Sequence, residues 1–444
     1  MINTGKNILL TSPFQYCLLI ILTVLVYYPI VYNDFIFLWD DQWQVFCATT
    51  EDGFNWNNMK AIFMNPFHSQ YFPVNQFFYM LIFSITDNYN PLVFHLFSLF
   101  VHIINVLLVY MLFIRFFRLS GRIRKERMNI IAFITALLFA VHPLNVESVA
   151  WISASKILIY VVFYLLGLYS YTIYIEKKKL IFYCFTLLFF LLSFGGKEQA
   201  VVFPISLFLI DWLLNRNFKE SDLWIEKSPF ILVAILLGVI TLYVSYGGFS
   251  LGSKDYSMWE RIVFCCYSFF EYLFKWLFPV KLLYLYPFPF LPGETMPMWL
   301  YIYPIFFIVI IVSFRKLLVS HWSLIFGLLF FVINIFMTLH IIPMPRFAIV
   351  ADRYIYLSSV GLSFIMAFYL VEIYYKLKNK FIICFVFSVY IVCLGVYANS
   401  RTRVWYDSDT LKKDVREFLE NRRKQSNTLS STEIGLWNKK FKLI

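Results

Sequence analysis

Charge is what this chain has least of. Only 14% of its 444 residues are Asp, Glu, Lys or Arg, against roughly 25% in soluble globular proteins. Cysteine is sparse too: the seven Cys are scattered, mostly inside apolar runs, and Cys265 and Cys266 are adjacent. That pattern offers neither metal-ligand spacing nor a disulfide framework. No Asn-x-Ser/Thr sequon occurs, which favours a bacterial plasma membrane over an endoplasmic reticulum. Alternating segments of about ten residues are also missing, which excludes a transmembrane barrel.

What is present is hydrocarbon. Hydrophobic residues make up 61% of the chain, and apolar runs close to the length of a membrane-spanning helix recur from end to end. The chain therefore reads as an all-α polytopic membrane protein. Spans are expected near 8–30, 91–114, 130–146, 151–175, 180–195, 198–214, 229–247, 298–314, 322–342, 354–375 and 381–399, about 11 transmembrane helices. The run from Ile8 to Ile30 is too long for a signal-peptide core and lacks a small-residue cleavage site, so it reads as a retained span. The 52 Phe and 31 Tyr fit lipid-facing bulk and interfacial belts.

The net charge of +12 does not point to nucleic acid, because the basic residues crowd short inter-span loops. Arg115, Arg118, Arg122, Arg124, Lys125 and Arg127 form one group. Lys177 to Lys179, Arg315 with Lys316, and Lys376, Lys378 and Lys380 form the others. This is the positive-inside signal. It places the N-terminus in the cytoplasm and the C-terminus outside, and the loop from Asn215 to Ser228 fits the same side. Glu260 to Phe278 would break the parity if it spanned, so an interfacial helix is expected there, with another in the first outer loop, 31–90. Leu277 to Trp299 holds five prolines and reads as an extended outer loop. Residues 1–400 form the membrane domain; 401–444 are a short polar outer tail, with a charged helical pattern near Leu411 to Arg423.

This topology collects polar residues on the outer face. Asp40 and Asp41 follow Trp39 just beyond the first span. Two neighbouring carboxylates beside hydrocarbon are costly and hard to keep both ionised, and such a pair can divide roles between base and orienting partner. Asp41 is the expected base, with Asp40 orienting it. Lys156, Lys197 and Arg353 are candidate phosphate binders. His142 and Glu147, five apart, could orient sugar hydroxyls; a lone His and Glu is a weak metal signal, and no metal site is assigned. Gly195 and Gly196, with Lys197 and Glu198, make a tight charged turn suited to a charged substrate group. Each feature also has a plain alternative: an interfacial anchor at Trp39-Asp40-Asp41, a helix break at His142-Pro143, a local ion pair at Asp352-Arg353, and a solvated hairpin with a snorkelling Lys197.

Several motifs resemble one known family. Trp39-Asp40-Asp41, Tyr71-Phe72-Pro73-Val74, and the run His142-Pro143-Leu144-Asn145-Val146-Glu147-Ser148-Val149-Ala150-Trp151 are similar to motifs of the C-type (GT-C) membrane glycosyltransferases linked to tetratricopeptide repeats. The likeness continues through Lys197-Glu198-Gln199-Ala200-Val201, Pro204 and Asp211-Trp212. It extends to Phe278-Pro279-Val280-Lys281-Leu282 with Tyr286-Pro287-Phe288-Pro289, to Ala351-Asp352-Arg353-Tyr354-Ile355-Tyr356 with Gly361, and to Trp405-Tyr406-Asp407-Ser408-Asp409-Thr410-Leu411. It covers about residues 10–420 and rests on the order and spacing of motifs. The resemblance implies a GT-C-like fold, a polyprenyl-phosphate sugar donor, an outer active site, and transfer to a protein hydroxyl or envelope glycan. It puts the first-loop aspartate role on Asp40 or Asp41, and Glu147, Lys156 and Arg353 near donor phosphate or acceptor. The family carries Arg where this chain has Phe72, often Arg-Lys-Asp in place of Ser155-Lys156-Ile157, and a repeat array beyond the junction.

The expected function is thus transfer of a sugar from a polyprenyl-phosphate donor, with membrane lipid and an acceptor protein or glycan as partners, no nucleic acid and no assigned cofactor. A transporter or flippase of a lipid-linked precursor is the alternative; mid-membrane polar breaks and an internal repeat, which a transporter would carry, are not evident. A non-catalytic membrane scaffold of the same descent is the third reading.

Overall fold

The structure, a computed structural model, describes residues 12–414 and 416, apart from 38, 68, 69, 247–255, 291 and 343–347. The start of the expected 8–30 span, parts of the outer stretches 248–297 and 343–353, and most of the pattern from Leu411 to Arg423 lie outside the described residues, as does the remainder of the tail. Among the described residues the chain is helical throughout, and the extended pairings are two isolated bridges, Phe67 with Gln70 and Tyr286 with Val350.

Helix α1 (Ser12–Tyr27) leads into a first loop carrying α2 (Asp41–Gln44), α3 (Ala48–Glu51), α4 (Trp56–Met64) and α5 (Pro73–Thr86). Next come α6 (Pro91–Ser120), α7 (Lys125–Val141), α8 (Val146–Ala150), α9 (Ser155–Lys177), α10 (Leu180–Gly196), α11 (Phe203–Leu213) and α12 (Ser221–Tyr246). The C-terminal half adds α13 (Met258–Leu277), α14 (Ile302–Ser320), α15 (Trp322–Ile335), α16 (Ser359–Lys376) and α17 (Lys380–Thr402).

Among the described residues six helical segments are long and apolar enough to cross a membrane: Ser12–Tyr32, Pro91–Ser120, Ile152–Lys177, Ser221–Val244, Met298–Leu317 and Lys380–Trp405. Helix α7 and its continuation Pro143–Ala150 make a seventh if taken together, bent by 55°. The bend falls at Pro143, whose ring removes a backbone donor and clashes with the preceding turn. This is the pattern of a multi-pass membrane protein. Helices α10 and α15 are apolar but shorter. Helix α11 fills only part of the expected 198–214 span, because Glu198–Val202 winds as a tighter 3₁₀ turn before it.

Local sequence explains the ends. Asn90 caps α6 by accepting from the Leu92 N–H at 3.1 Å, with Pro91 at the first helical position. Helix α6 stops at Gly121, whose φ of +62° suits the left-handed cap. Helix α13 opens on a capping box between Ser257 and Glu260. It is not one of the six apolar segments. It buries Val263, Phe264, Tyr272 and Trp276 against Leu283, Ile349 and Val350, and leaves Trp259, Phe274 and Leu277 exposed.

Two contacts draw helices unusually close. A Cβ on Gly361 would lie 2.3 Å from the Gly327 carbonyl oxygen, so α15 and α16 meet backbone to backbone. A Cβ on Gly196 would lie 2.8 Å from the Tyr160 nitrogen, seating the end of α10 on α9. At the opposite end of α9 a closed charge network is buried. The Lys227 ammonium reaches Asp211 at 2.8 Å and Glu226 at 2.7 Å, and the Arg216 guanidinium reaches Glu226 and Asp211 at 2.9 and 3.0 Å. Two cations meet two anions, with the Tyr171 hydroxyl donating among them.

Candidate active site

Asp41 is the first residue of α2 and is fully buried. One carboxylate oxygen accepts from the Ile36 N–H at 2.8 Å; the other accepts from the Ser153 N–H at 3.0 Å and from the Ser153 hydroxyl. Burial pushes this carboxyl up to about 6, against the opposing pull of those hydrogen bonds. Asp41 therefore ties the first loop to the turn ahead of α9. Asp40, one residue earlier, is only half-buried, and its carboxylate accepts from the Gln44 side-chain amide at 2.9 Å. Asp41 is enclosed and held by three donors; Asp40 is half-buried and held by one.

Lys156 enters from the first turn of α9. Its ammonium donates to the side-chain oxygens of Gln44 at 3.2 Å and Gln70 at 3.1 Å, and lies 5.0 Å from the centre of the Phe72 ring. Neutral amides and an aromatic face surround this buried amine. Beneath it, Tyr79 contacts the Ile152 carbonyl at 2.8 Å and the Ser155 hydroxyl at 3.0 Å, and Ser155 donates to Asn75 at 3.0 Å. The charges of Lys197, Asp40, Glu198 and Arg353 all act on the Lys156 ammonium.

Lys197 and Glu198 reach this group through the turn after α10. Gly195 lies where a Cβ would meet Val74 at 2.6 Å, so the turn presses onto the start of α5, next to Phe72. Lys197 is nearly buried, and its ammonium stands 3.6 Å from the Glu198 carboxylate.

Arg353 closes another side. Its backbone N–H donates to Glu147 at 2.8 Å, and its guanidinium pairs with the other oxygen of the same carboxylate. The guanidinium also lies over the rings of Trp151, at 5.3 Å, and Tyr354, at 4.8 Å. Glu147 is therefore engaged on both oxygens and positions Arg353. Trp151 stacks at 5.5 Å on Trp405, the last residue of the last apolar segment, and Trp39 packs edge-on against Tyr284 at 5.6 Å. These rings form an aromatic wall beside the charges.

His142 is not among them. It is fully buried and stacks on Trp276 at 5.5 Å with the rings nearly parallel. Its Nδ1 accepts from the Leu144 N–H at 3.2 Å, so Nε2 carries the proton and donates to the Trp276 carbonyl at 2.9 Å. Both nitrogens are occupied. These contacts pin α13 to the bend after α7. Among the described residues no three His, Cys, Asp or Glu side chains converge as a metal site.

Sequence reasoning missed Gln44, Gln70 and Ser153. Gln44 lies one helical turn after Asp40, a spacing that puts both on one face; nothing in the sequence marks Gln70 or Ser153. It also passed over the setting of Asp352, whose buried carboxyl accepts from the Tyr286 hydroxyl at 2.9 Å. Burial first, and the nearby Glu147 charge second, push Asp352 up to about 7. Compared with known protein families, with curated proteins and with solved structures, the chain has no match.

Proposed function

We propose that the chain is a membrane glycosyltransferase that uses a polyprenyl-phosphate sugar, with a GT-C-like arrangement of eleven spans and its N-terminus in the cytoplasm. The observation that carries this reading is a half-buried carboxylate, Asp40, linked through the Gln44 side chain to the Lys156 ammonium, with the charges of Lys197 and Arg353 acting on the same ammonium. In this reading Asp40 takes the proton of an acceptor hydroxyl as its oxygen bonds to the anomeric carbon. The bond from that carbon to the phosphate oxygen breaks, and the cations stabilise the charge left on the polyprenyl phosphate. Asp41 positions the loop and Glu147 positions Arg353. The acceptor is a protein hydroxyl or an envelope glycan outside a bacterial plasma membrane.

The test is purified protein with a radiolabelled polyprenyl-phosphate sugar and an envelope extract as acceptor, with donor binding measured separately. Transfer by the wild type, lost in Asp40→Asn while donor binding persists, supports the proposal. Full activity in Asp40→Asn sinks the assignment of the base. Translocation of donor in vesicles without transfer favours a flippase, and donor binding with neither outcome identifies a scaffold.

A further inference from the structure

The charged group beside Asp40 is not the molecule's sole polar recess. An open cavity of about 440 Å³ lies where α1 and α17 end, lined by Tyr28, Tyr32, Asn33, Arg403, Tyr406 and Thr410 among others. Arg403 is exposed and has no ion pair among the described residues, unlike Arg353, Arg401 and Arg216. The cavity walls are rigidly joined: the Asn33 side-chain amide donates to the Thr402 carbonyl at 3.0 Å, and the Asp34 N–H donates to the Tyr406 carbonyl at 2.8 Å. Asn399 bridges to the Val26 carbonyl at 3.0 Å just below, so α1 and α17 run side by side into the recess. Both helices turn bare aliphatic side chains outwards beneath it: Leu25 is 62% exposed and Val396 is 65% exposed.

A fork-shaped cation and two tyrosines stand at the ends of two long apolar segments, next to their exposed aliphatic faces. An arginine there matches a phosphodiester by charge and geometry, tyrosine suits the headgroup layer, and the exposed aliphatic faces of α1 and α17 suit an acyl chain. We propose that this recess binds one anionic glycerophospholipid of the surrounding leaflet, its phosphate on Arg403 and one chain along α1 and α17. This is a binding site distinct from the Lys156 group and independent of any sugar transfer.

The experiment is native mass spectrometry of the full chain in detergent, titrated with phosphatidylglycerol or phosphatidylcholine. The wild type is expected to retain one phosphatidylglycerol in preference to phosphatidylcholine. Arg403→Gln should weaken retention about tenfold, the scale of one charge-assisted hydrogen bond. Val396→Asp, which places a charge on the exposed aliphatic face and spares the cation, should also weaken it. Lys219→Gln, on a distant loop, should leave it unchanged, and thermal midpoints of all variants verify folding. Equal retention by the wild type and a folded Arg403→Gln overturns the proposal. Millimolar inorganic phosphate that displaces the lipid, together with unaffected binding in Val396→Asp, would mean a site for the phosphate group alone and also overturns it.

Discussion

Ser153 donates both its backbone N–H and its hydroxyl to one oxygen of Asp41, 112 residues earlier in the chain. The pair closes the first loop over the start of α9 and orders the approach to Lys156, three residues beyond Ser153. Asp41 is thus held by three donors, while its half-buried neighbour Asp40 accepts one side-chain hydrogen bond, from Gln44.

The two aspartates should separate cleanly on substitution. Asp41→Asn sets an amide N–H₂ against N–H donors inside the protein and should cost about 1–3 kcal/mol, the scale of an unmet buried hydrogen bond. Asp40→Asn, at a half-buried position, should change stability by no more than about 0.5 kcal/mol. Thermal unfolding of the detergent-solubilised variants measures both, and equal destabilisation would contradict the assigned roles.

Asp352 predicts a pH dependence of stability. Its carboxyl sits near 7 in the folded protein, well above the ordinary carboxylate value, so the folded state binds more protons than the unfolded state between about 4 and 7. Its favourable contribution is complete below about 4 and is lost as the pH rises through about 7. Asp41, near 6, acts in the same direction. Asp352→Asn, which mimics the protonated group and still accepts from Tyr286, should flatten the fall in thermal midpoint between pH 5 and pH 8. An unchanged slope would contradict the assignment to Asp352.

Glu147 and Arg353 should behave as one unit. Removing either partner leaves a charge beside low-dielectric surroundings and should destabilise by about 3–5 kcal/mol. Glu147→Gln combined with Arg353→Met should cost less than the sum of the single changes by at least about 1 kcal/mol in a double-mutant cycle. Simple additivity would mean that the pair does not hold in solution.

Gly361→Ala tests the contact between α15 and α16. Its new methyl group would fall on the Gly327 carbonyl, and overpacking of this kind costs about 1–3 kcal/mol. Gly121→Ala is a useful contrast: no atom lies near its Cβ position, so any loss there reflects the positive φ alone. The midpoint should fall for Gly361→Ala through separation of the two helices, read directly as increased cross-linking distance between cysteines placed on each.

Much of the fold was legible because hydrocarbon is a one-dimensional signal. Long apolar runs become helices wherever backbone groups must be satisfied without water, and a helix stands at each expected apolar position. Proline and cap residues marked several boundaries, Pro91 and Gly121 among them. Length was less legible: among the described residues six of these helical segments, or seven with the bent pair, are long and apolar enough to cross a membrane, α10 and α15 are shorter, and a 3₁₀ turn shortens α11.

The site was legible as a set of residues and illegible as a set of roles. Motif order singled out Asp40, Asp41, Lys156, Lys197, Glu198 and Arg353, whose charges the fold gathers. It could not say which aspartate turns inwards, since successive residues at a helix start point about 100° apart and only the neighbouring Ser153 decides the direction. Nor could it tell that His142 has both nitrogens taken, because Trp276 lies 134 residues away. Gln44 and Gln70 carry no charge to draw notice, yet they surround Lys156. The sequence by itself determined the helices, their apolar surfaces and the inventory of charges, because these depend on local composition. Tertiary structure alone decided which charges are enclosed, paired or open, because burial and hydrogen bonding depend on partners that chain order does not reveal.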